Sequence, residues 1–182
     1  DQHGQPLDYL LEELGINKGQ VLFSTRKMEA KDLSNFYKMA DCTVNIADAE
    51  GFGLATLESL SSGTPIIVTM TGGLQEQVTD GENWFGVGIE PSSKSVIGSM
   101  SVPYIYEDRI SKDDFVAALE KIFYMSKEDR KQLGLKGREH VLKNYNFEKF
   151  NKQWVDVMLR VHEKHGSWEN RKNYKSWEII EI

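Results

Sequence analysis

The chain has 182 residues, 40% apolar and 27% charged, with a formal net charge of −6, which fits one globular domain with a sizeable core. No block of Lys and Arg interleaved with aromatics accompanies that acidic balance, so no nucleic-acid partner is expected. No apolar run reaches the ~20 residues that span a bilayer, and the single cysteine, Cys42, excludes a disulfide frame and reads as a small core residue.

In chain order, Pro6 stands at a first helical position, and Leu7, Leu10, Leu11 and Leu14 form a helical stripe ended by Gly15. Val21-Leu-Phe23 predicts a short strand, followed by the polar turn Ser24-Thr-Arg-Lys27. A helix with Leu33, Phe36, Tyr37 and Ala40 on one face leads to a strand over Cys42–Ala47. A loop from Asp48 then turns into a helix. Gly51 and Gly53 flank Phe52, and Leu54, Ala55, Leu57 and Leu60 follow at helical spacing, with Gly63 where a helix C′ glycine stands. Pro65–Thr69 reads as the next buried strand, and Gly72-Gly73 precedes a short helix over Leu74–Thr79 and a turn at Asp80–Asn83.

From Glu90 to Arg109 the pattern loosens, and the β-like Tyr104-Ile-Tyr106 leaves a small hairpin and a surface loop as alternatives. Three helices close the chain. Ser111 caps the first, which carries Phe115, Leu119, Ile122 and Phe123. Ser126 caps the second, which carries Leu133, Val141 and Leu142 to about Tyr145. Asn146 caps the third, with Phe150, Trp154, Val157, Met158 and Val161. Residues 1–165 form the expected domain, and 166–182, with Trp168, Tyr174 and Trp177, a tail. Strands alternating with amphipathic helices predict an α/β fold, a doubly wound parallel sheet followed by C-terminal helices.

The stretch from Asp48 to Gly63 carries the chemistry. A strand, a glycine-bearing turn and a helix N-terminus present free N–H groups and the positive end of the helix dipole to an anion. Glu50 and Glu58 frame that turn with seven residues between them. Taken singly, Glu50 reads equally as a charge placed at a helix N-terminus and Glu58 as a solvated acid. Asp48-Ala-Glu50 is too common a triplet to indicate a metal. His3, His140, His162 and His165 lie in terminal or late helical segments, and the last pair shares a helix face without a third ligand. No Gly-x-Ser-x-Gly, Walker loop or Cys–His nucleophile pair is present, and Gly51-Phe-Gly53 lacks the third glycine of a dinucleotide fingerprint.

Three segments in order, Glu50-Gly-Phe-Gly-Leu-Ala-Thr-Leu-Glu58, Ser62-Gly-Thr-Pro-Ile-Ile-Val68 and Gly72-Gly-Leu-Gln-Glu76, resemble the C-terminal, donor-binding domain of retaining GT-B glycosyltransferases. The similarity is to the family-four type with its Glu-x7-Glu motif, and it runs from about Gly15 to His162. It implies transfer of a sugar from a nucleotide-diphosphate sugar to a glycan, lipid or protein acceptor, with retention and without metal or other cofactor. By resemblance, Glu58 takes the ribose diol, while Glu50 with the backbone at Phe52 and Gly53 takes the sugar hydroxyls. The diphosphate suits the amides around Gly53, Leu54 and Ala55, and the base is assigned to Thr25, Arg26 and Lys27. Catalysis would be positioning and charge stabilisation.

The family's sheet begins with two strands that match nothing in this sequence; by resemblance, its phosphate-binding Arg and Lys precede the matched part, as does the acceptor-binding N-terminal GT-B domain. The chain is therefore expected to be a fragment, inactive alone and open to self-association through a sheet edge beside 21–23. The expected location is cytoplasmic, with peripheral membrane attachment of the full-length protein left open. Two other classes stay open: a GT-B sugar epimerase or phosphorylase, and a non-catalytic Rossmann-like binding module in which Glu50 and Glu58 are surface acids.

Overall fold

In chain order the elements are α1 (Leu7–Glu13), α2 (Ala30–Met39), β1 (Thr43–Asn45), α3 (Leu54–Ser62), β2 (Ile66–Thr69), α4 (Leu74–Val78), β3 (Val87–Ile89), β4 (Ser93–Ile97), β5 (Ile105–Arg109), α5 (Lys112–Phe123), α6 (Lys127–Asn144) and α7 (Phe147–His165). They come from a computed structural model that describes residues 6–173; His3, Tyr174 and Trp177 lie outside the described residues. The chain divides into two units, 1–33 and 34–182.

In the first unit, α1 ends in a left-handed Gly15 at φ 67°. The Ile16 amide reaches back to the Leu11 carbonyl at 2.9 Å, the closure that a left-handed glycine permits. The helix buries none of its residues. Residues 21–23 form no strand, which corrects the expectation from Val-Leu-Phe. A strand needs a neighbour to complete its ladder, and among the described residues none pairs there, so Leu22 and Phe23 lie exposed.

The second unit is built on the parallel sheet β1-β2-β3, in register through Val44, Ile67 and Val87. Parallel neighbours require crossovers, and α3 and α4 supply them. β2 is central and fully buried, as its unbroken Ile-Ile-Val-Thr demands. One side of the sheet packs a core of Leu60, Ile66, Val68, Leu74, Val78 and Val141. The other packs Ile67, Val87 and Ile89 against Ala118 and Ile122 of α5, with half-buried Cys42 at the margin. Burial pushes the Cys42 thiol up to about 11, which favours the protonated thiol at neutral pH.

Where α6 crosses α3, glycine replaces bulk. A Cβ on Gly134 would run into the Gly63 carbonyl, and one on Gly137 into Leu60 and the Phe85 carbonyl. Arg138 Nη1 donates to the Ser61 carbonyl at 2.5 Å, placing a cation at the C-terminal end of α3. The predicted caps all form: Ser111, Ser126 and Asn146 accept from the amides of Asp114, Asp129 and Lys149. Glu90–Arg109 resolves into an antiparallel hairpin, β4 with β5, pairing Ser93 with Arg109. The stripe on α7 is not core: Phe150, Trp154, Val157, Met158 and Val161 are exposed. Amphipathic spacing states that a face is apolar, not that something covers it.

Candidate functional site

The loop from Asp48 to Gly53 leaves the C-terminal end of β1 and enters α3. Gly53 is its pivot, buried and left-handed at φ 86°, ψ 59°, a conformation that glycine takes without a Cβ penalty. It accepts from the Thr56 and Leu57 amides at 3.1 and 3.3 Å. No side chain among the described residues caps the helix, and the Leu54 and Ala55 amides have no intrahelical acceptor.

The glycine pair after β2 shapes this loop from beneath. A Cβ on Gly72 would occupy the position of the Glu50 carbonyl, and one on Gly73 would lie 2.8 and 2.9 Å from the Gly51 and Phe52 carbonyls. The Gly73 amide donates to Gly51 O at 3.2 Å, and Gln77 Nε2 donates to the Phe52 carbonyl. Gly53 is in turn tight against Leu74 and Gln77. The first and third motif segments thus form one structure, with the second glycine pair supporting the first turn.

The helix divides its faces cleanly. Thr56, Ser59 and Leu60 are buried, while Leu54, Ala55 and Glu58 are exposed. These three share one face, since i, i+3 and i+4 residues are neighbours on a helix. On the buried side, Thr56 Oγ1 accepts from Asn45 Nδ2 at 3.1 Å, and Ser59 Oγ lies 2.6 Å from Thr43 Oγ1. These side-chain bonds fix the rotation of α3 against β1, and so the direction of the exposed face.

Glu58 is not a free surface acid. Tyr37 donates its hydroxyl to Glu58 Oε2 at 2.9 Å, and the Tyr37 carbonyl accepts from Thr64 Oγ1 at 2.7 Å. Burial, and secondarily the Glu58 carboxylate, push the Tyr37 phenol up to about 12, so it remains a donor at neutral pH. One Glu58 oxygen is thereby oriented and the other is left for a ligand. Glu50 is half-buried and Phe52 exposed. Phe52 meets Tyr145 edge to face, with ring centroids 6.4 Å apart.

Thr25, Arg26 and Lys27 belong to the first unit, in an irregular segment, whereas the other candidate residues are gathered in the second. Asp48 is bound to Arg109, Nη1 to Oδ2 at 2.5 Å, so its carboxylate is engaged in an ion pair.

His140 is the residue whose environment the sequence least suggested. It is 8% exposed, stacked on Phe85 at 4.0 Å. Its Nδ1 accepts from Asn144 Nδ2 at 3.1 Å, and Nε2 has no hydrogen-bond partner among the described residues. Burial holds it below the ordinary histidine range. The signal was Gly134-x-x-Gly137-x-x-His140, a three-residue spacing that continues the stripe of α6 facing α3. His162 and His165 are exposed, as expected.

The sequence and the fold both have relatives. A trehalose synthase of Pyrococcus horikoshii is 27% identical over 141 residues, covering 76% of this chain and 28% of that protein. A D-inositol 3-phosphate glycosyltransferase of Corynebacterium urealyticum is 38% identical over 77 residues, covering 42% and 18%. Among solved structures, a sucrose-phosphate synthase of Thermosynechococcus elongatus superposes with a TM-score of 0.64 at 22% identity, over 86% of this chain and 34% of that one. Anabaena HepE in complex with UDP-glucose superposes with a TM-score of 0.61 at 15% identity, over 85% and 36%. These likenesses show the fold, a GT-B C-terminal domain, and this chain spans about a third or less of the length of each of these four proteins. The profile of the family described as Glycosyl transferases group 1 matches residues 2–140. The chain belongs to the glycosyl transferases group 1 family.

Proposed function

We propose that this chain is the donor-binding part of a retaining glycosyltransferase that uses a nucleotide-diphosphate sugar and needs no metal. The observation that carries the reading is the uncapped N-terminus of α3, entered through the left-handed Gly53 and flanked by Glu50 and a Tyr37-oriented Glu58.

Three parts of such a donor have matching groups in the second unit. The Gly53, Leu54 and Ala55 amides suit the diphosphate, which the helix dipole favours. The exposed Glu58 carboxylate lies one turn along the same helix face and suits a ribose diol, accepting from its hydroxyls. Glu50 and the backbone at Phe52 and Gly53 suit the sugar hydroxyls. No side chain of the loop is placed as a proton-transferring base in this reading. The loop instead orients the sugar so that the leaving phosphate and the acceptor meet on one face, and α3 stabilises the charge that grows on the diphosphate. HepE, solved with UDP-glucose, supports a donor of this class on this fold.

Thermal-shift titration with UDP, GDP and ADP tests donor binding: stabilisation by one of them is expected, and no response to any would return Glu50 and Glu58 to surface acids. Retention is read from the anomeric proton coupling of the first-formed product.

A further inference from the structure

The hairpin β4–β5 is the part of the second unit that the donor site does not use, yet its base is tied to the donor loop. Arg109, the last residue of β5, makes three contacts at once: Nη1 to Asp48 Oδ2 at 2.5 Å, Nη2 to Glu107 Oε2 at 2.5 Å, and Nε to Ser95 Oγ at 3.0 Å. Beside it, the Asp108 amide donates to the Asp48 carbonyl at 2.7 Å. Asp48 is two residues before Glu50.

We propose that Arg109 is a positioning residue for sugar transfer, clamping Asp48 so that the segment 48–50 presents Glu50 in one orientation. The inference rests on the donor-site reading above. The loop has two grips. Gly73 and Gln77 hold its far half through the Gly51 and Phe52 carbonyls, and Arg109 with the Asp108 amide holds its near half. Glu50 lies between the grips, so releasing one frees the carboxylate without unfolding the turn.

The geometry separates this role from a stabilising one. The Arg109 and Asp48 side chains are 42% and 46% exposed, and exposed ion pairs contribute little to folding. A planar guanidinium can satisfy Asp48, Glu107 and Ser95 together because its donors are fixed in a fork, which an ammonium cannot reproduce. Rigidity at Asp48 is therefore the property that Arg109 supplies.

The test pairs kinetics with amide exchange. Kinetics are read in a transferase-competent chain that carries these residues, and exchange on this chain itself. Arg109→Met is expected to lower kcat roughly 10-fold, as fits a sub-ångström misplacement, with nucleoside diphosphate affinity unchanged. Arg109→Lys should recover part of that loss. Exchange should quicken at residues 48–53 and stay unchanged at 56–60. Unaltered exchange at 48–53, or a loss confined to KM, would overturn the clamp. Glu50→Gln makes the two ideas separable. Lost turnover in Glu50→Gln with none in Arg109→Met overturns the clamp alone. Faster loop exchange and lowered kcat in Arg109→Met with normal turnover in Glu50→Gln uphold the positioning role of Arg109 and overturn Glu50 as the group it presents.

Discussion

Replacing Gly73 with alanine adds one methyl group directly beneath the donor loop. Gly73 has φ −67° and ψ −16°, which any residue adopts, so the substitution probes space without backbone strain. The new Cβ would lie 2.8 Å from the Gly51 carbonyl oxygen, 2.9 Å from that of Phe52 and 3.1 Å from Phe52 Cα. Two backbone oxygens and a Cα cannot swing aside as a side chain would, so the loop must lift by about half an ångström. Overpacking of this kind costs about 1–3 kcal/mol, and the reduced freedom of the unfolded chain returns about 0.4–1 kcal/mol. A net loss of about 1–2 kcal/mol corresponds to roughly 2–8 °C in Tm for a chain of this size. The same lift moves Glu50 and Phe52 relative to α3, and displacement on that scale costs about 10-fold in turnover. Gly51→Ala is the control, because a Cβ there meets nothing within 4 Å. Differential scanning calorimetry on this chain, and steady-state rates in a transferase-competent chain that carries these residues, read the two effects. Gly73→Ala with the Tm and turnover of Gly51→Ala would refute the claim that the glycine pair shapes the donor loop.

Two further predictions concern other parts of the second unit. His140 is held below its ordinary 6.5 by burial, so between its folded and unfolded values the unfolded chain binds more protons and stability rises with pH. Stability should therefore fall as pH drops below about 6.5, by at most about 1.4 kcal/mol per pH unit from this group. Denaturant midpoints at pH 7.5 and 5.5 should show a smaller drop in His140→Phe, and equal drops would contradict the assignment. β1 offers an outer edge that no strand pairs among the described residues, with Val44 45% exposed. Concentration-dependent association in sedimentation velocity, weakened by Val44→Lys, is expected; a monomer at high concentration in the unsubstituted chain would count against it.

What could be read in the sequence was what short-range hydrogen bonds decide. Ser111, Ser126 and Asn146 cap their helices because a side-chain oxygen reaches an amide three residues on, and Gly63 ends α3 because a left-handed residue was needed there. The turn at Gly53 and the start of α3 were legible for the same reason. Val21-Leu-Phe23 misled because strand composition cannot supply a pairing neighbour. Phe150, Trp154 and Met158 showed the apolar face of α7, but spacing does not say what covers such a face, and all three are exposed. Arg109 and Asp48 are separated by 61 residues, and no local pattern announces a pair at that distance. Tyr37 and Glu58, 21 residues apart, are likewise joined by a hydrogen bond that no local pattern announces.

The central claim is that α3 holds a nucleoside diphosphate, with Glu58 on its ribose and Glu50 on the sugar beyond it. Calorimetric titration of the stabilising nucleoside diphosphate into the unsubstituted chain, Glu58→Gln and Glu50→Gln tests it most directly. Hydrogen bonds to charged groups contribute about 1.5–3 kcal/mol, so Glu58→Gln should weaken binding roughly 10- to 150-fold. Glu50→Gln should leave it nearly unchanged, because the nucleotide alone carries no sugar for it to touch. Equal weakening in both variants, or in neither, would contradict this assignment of the two acids.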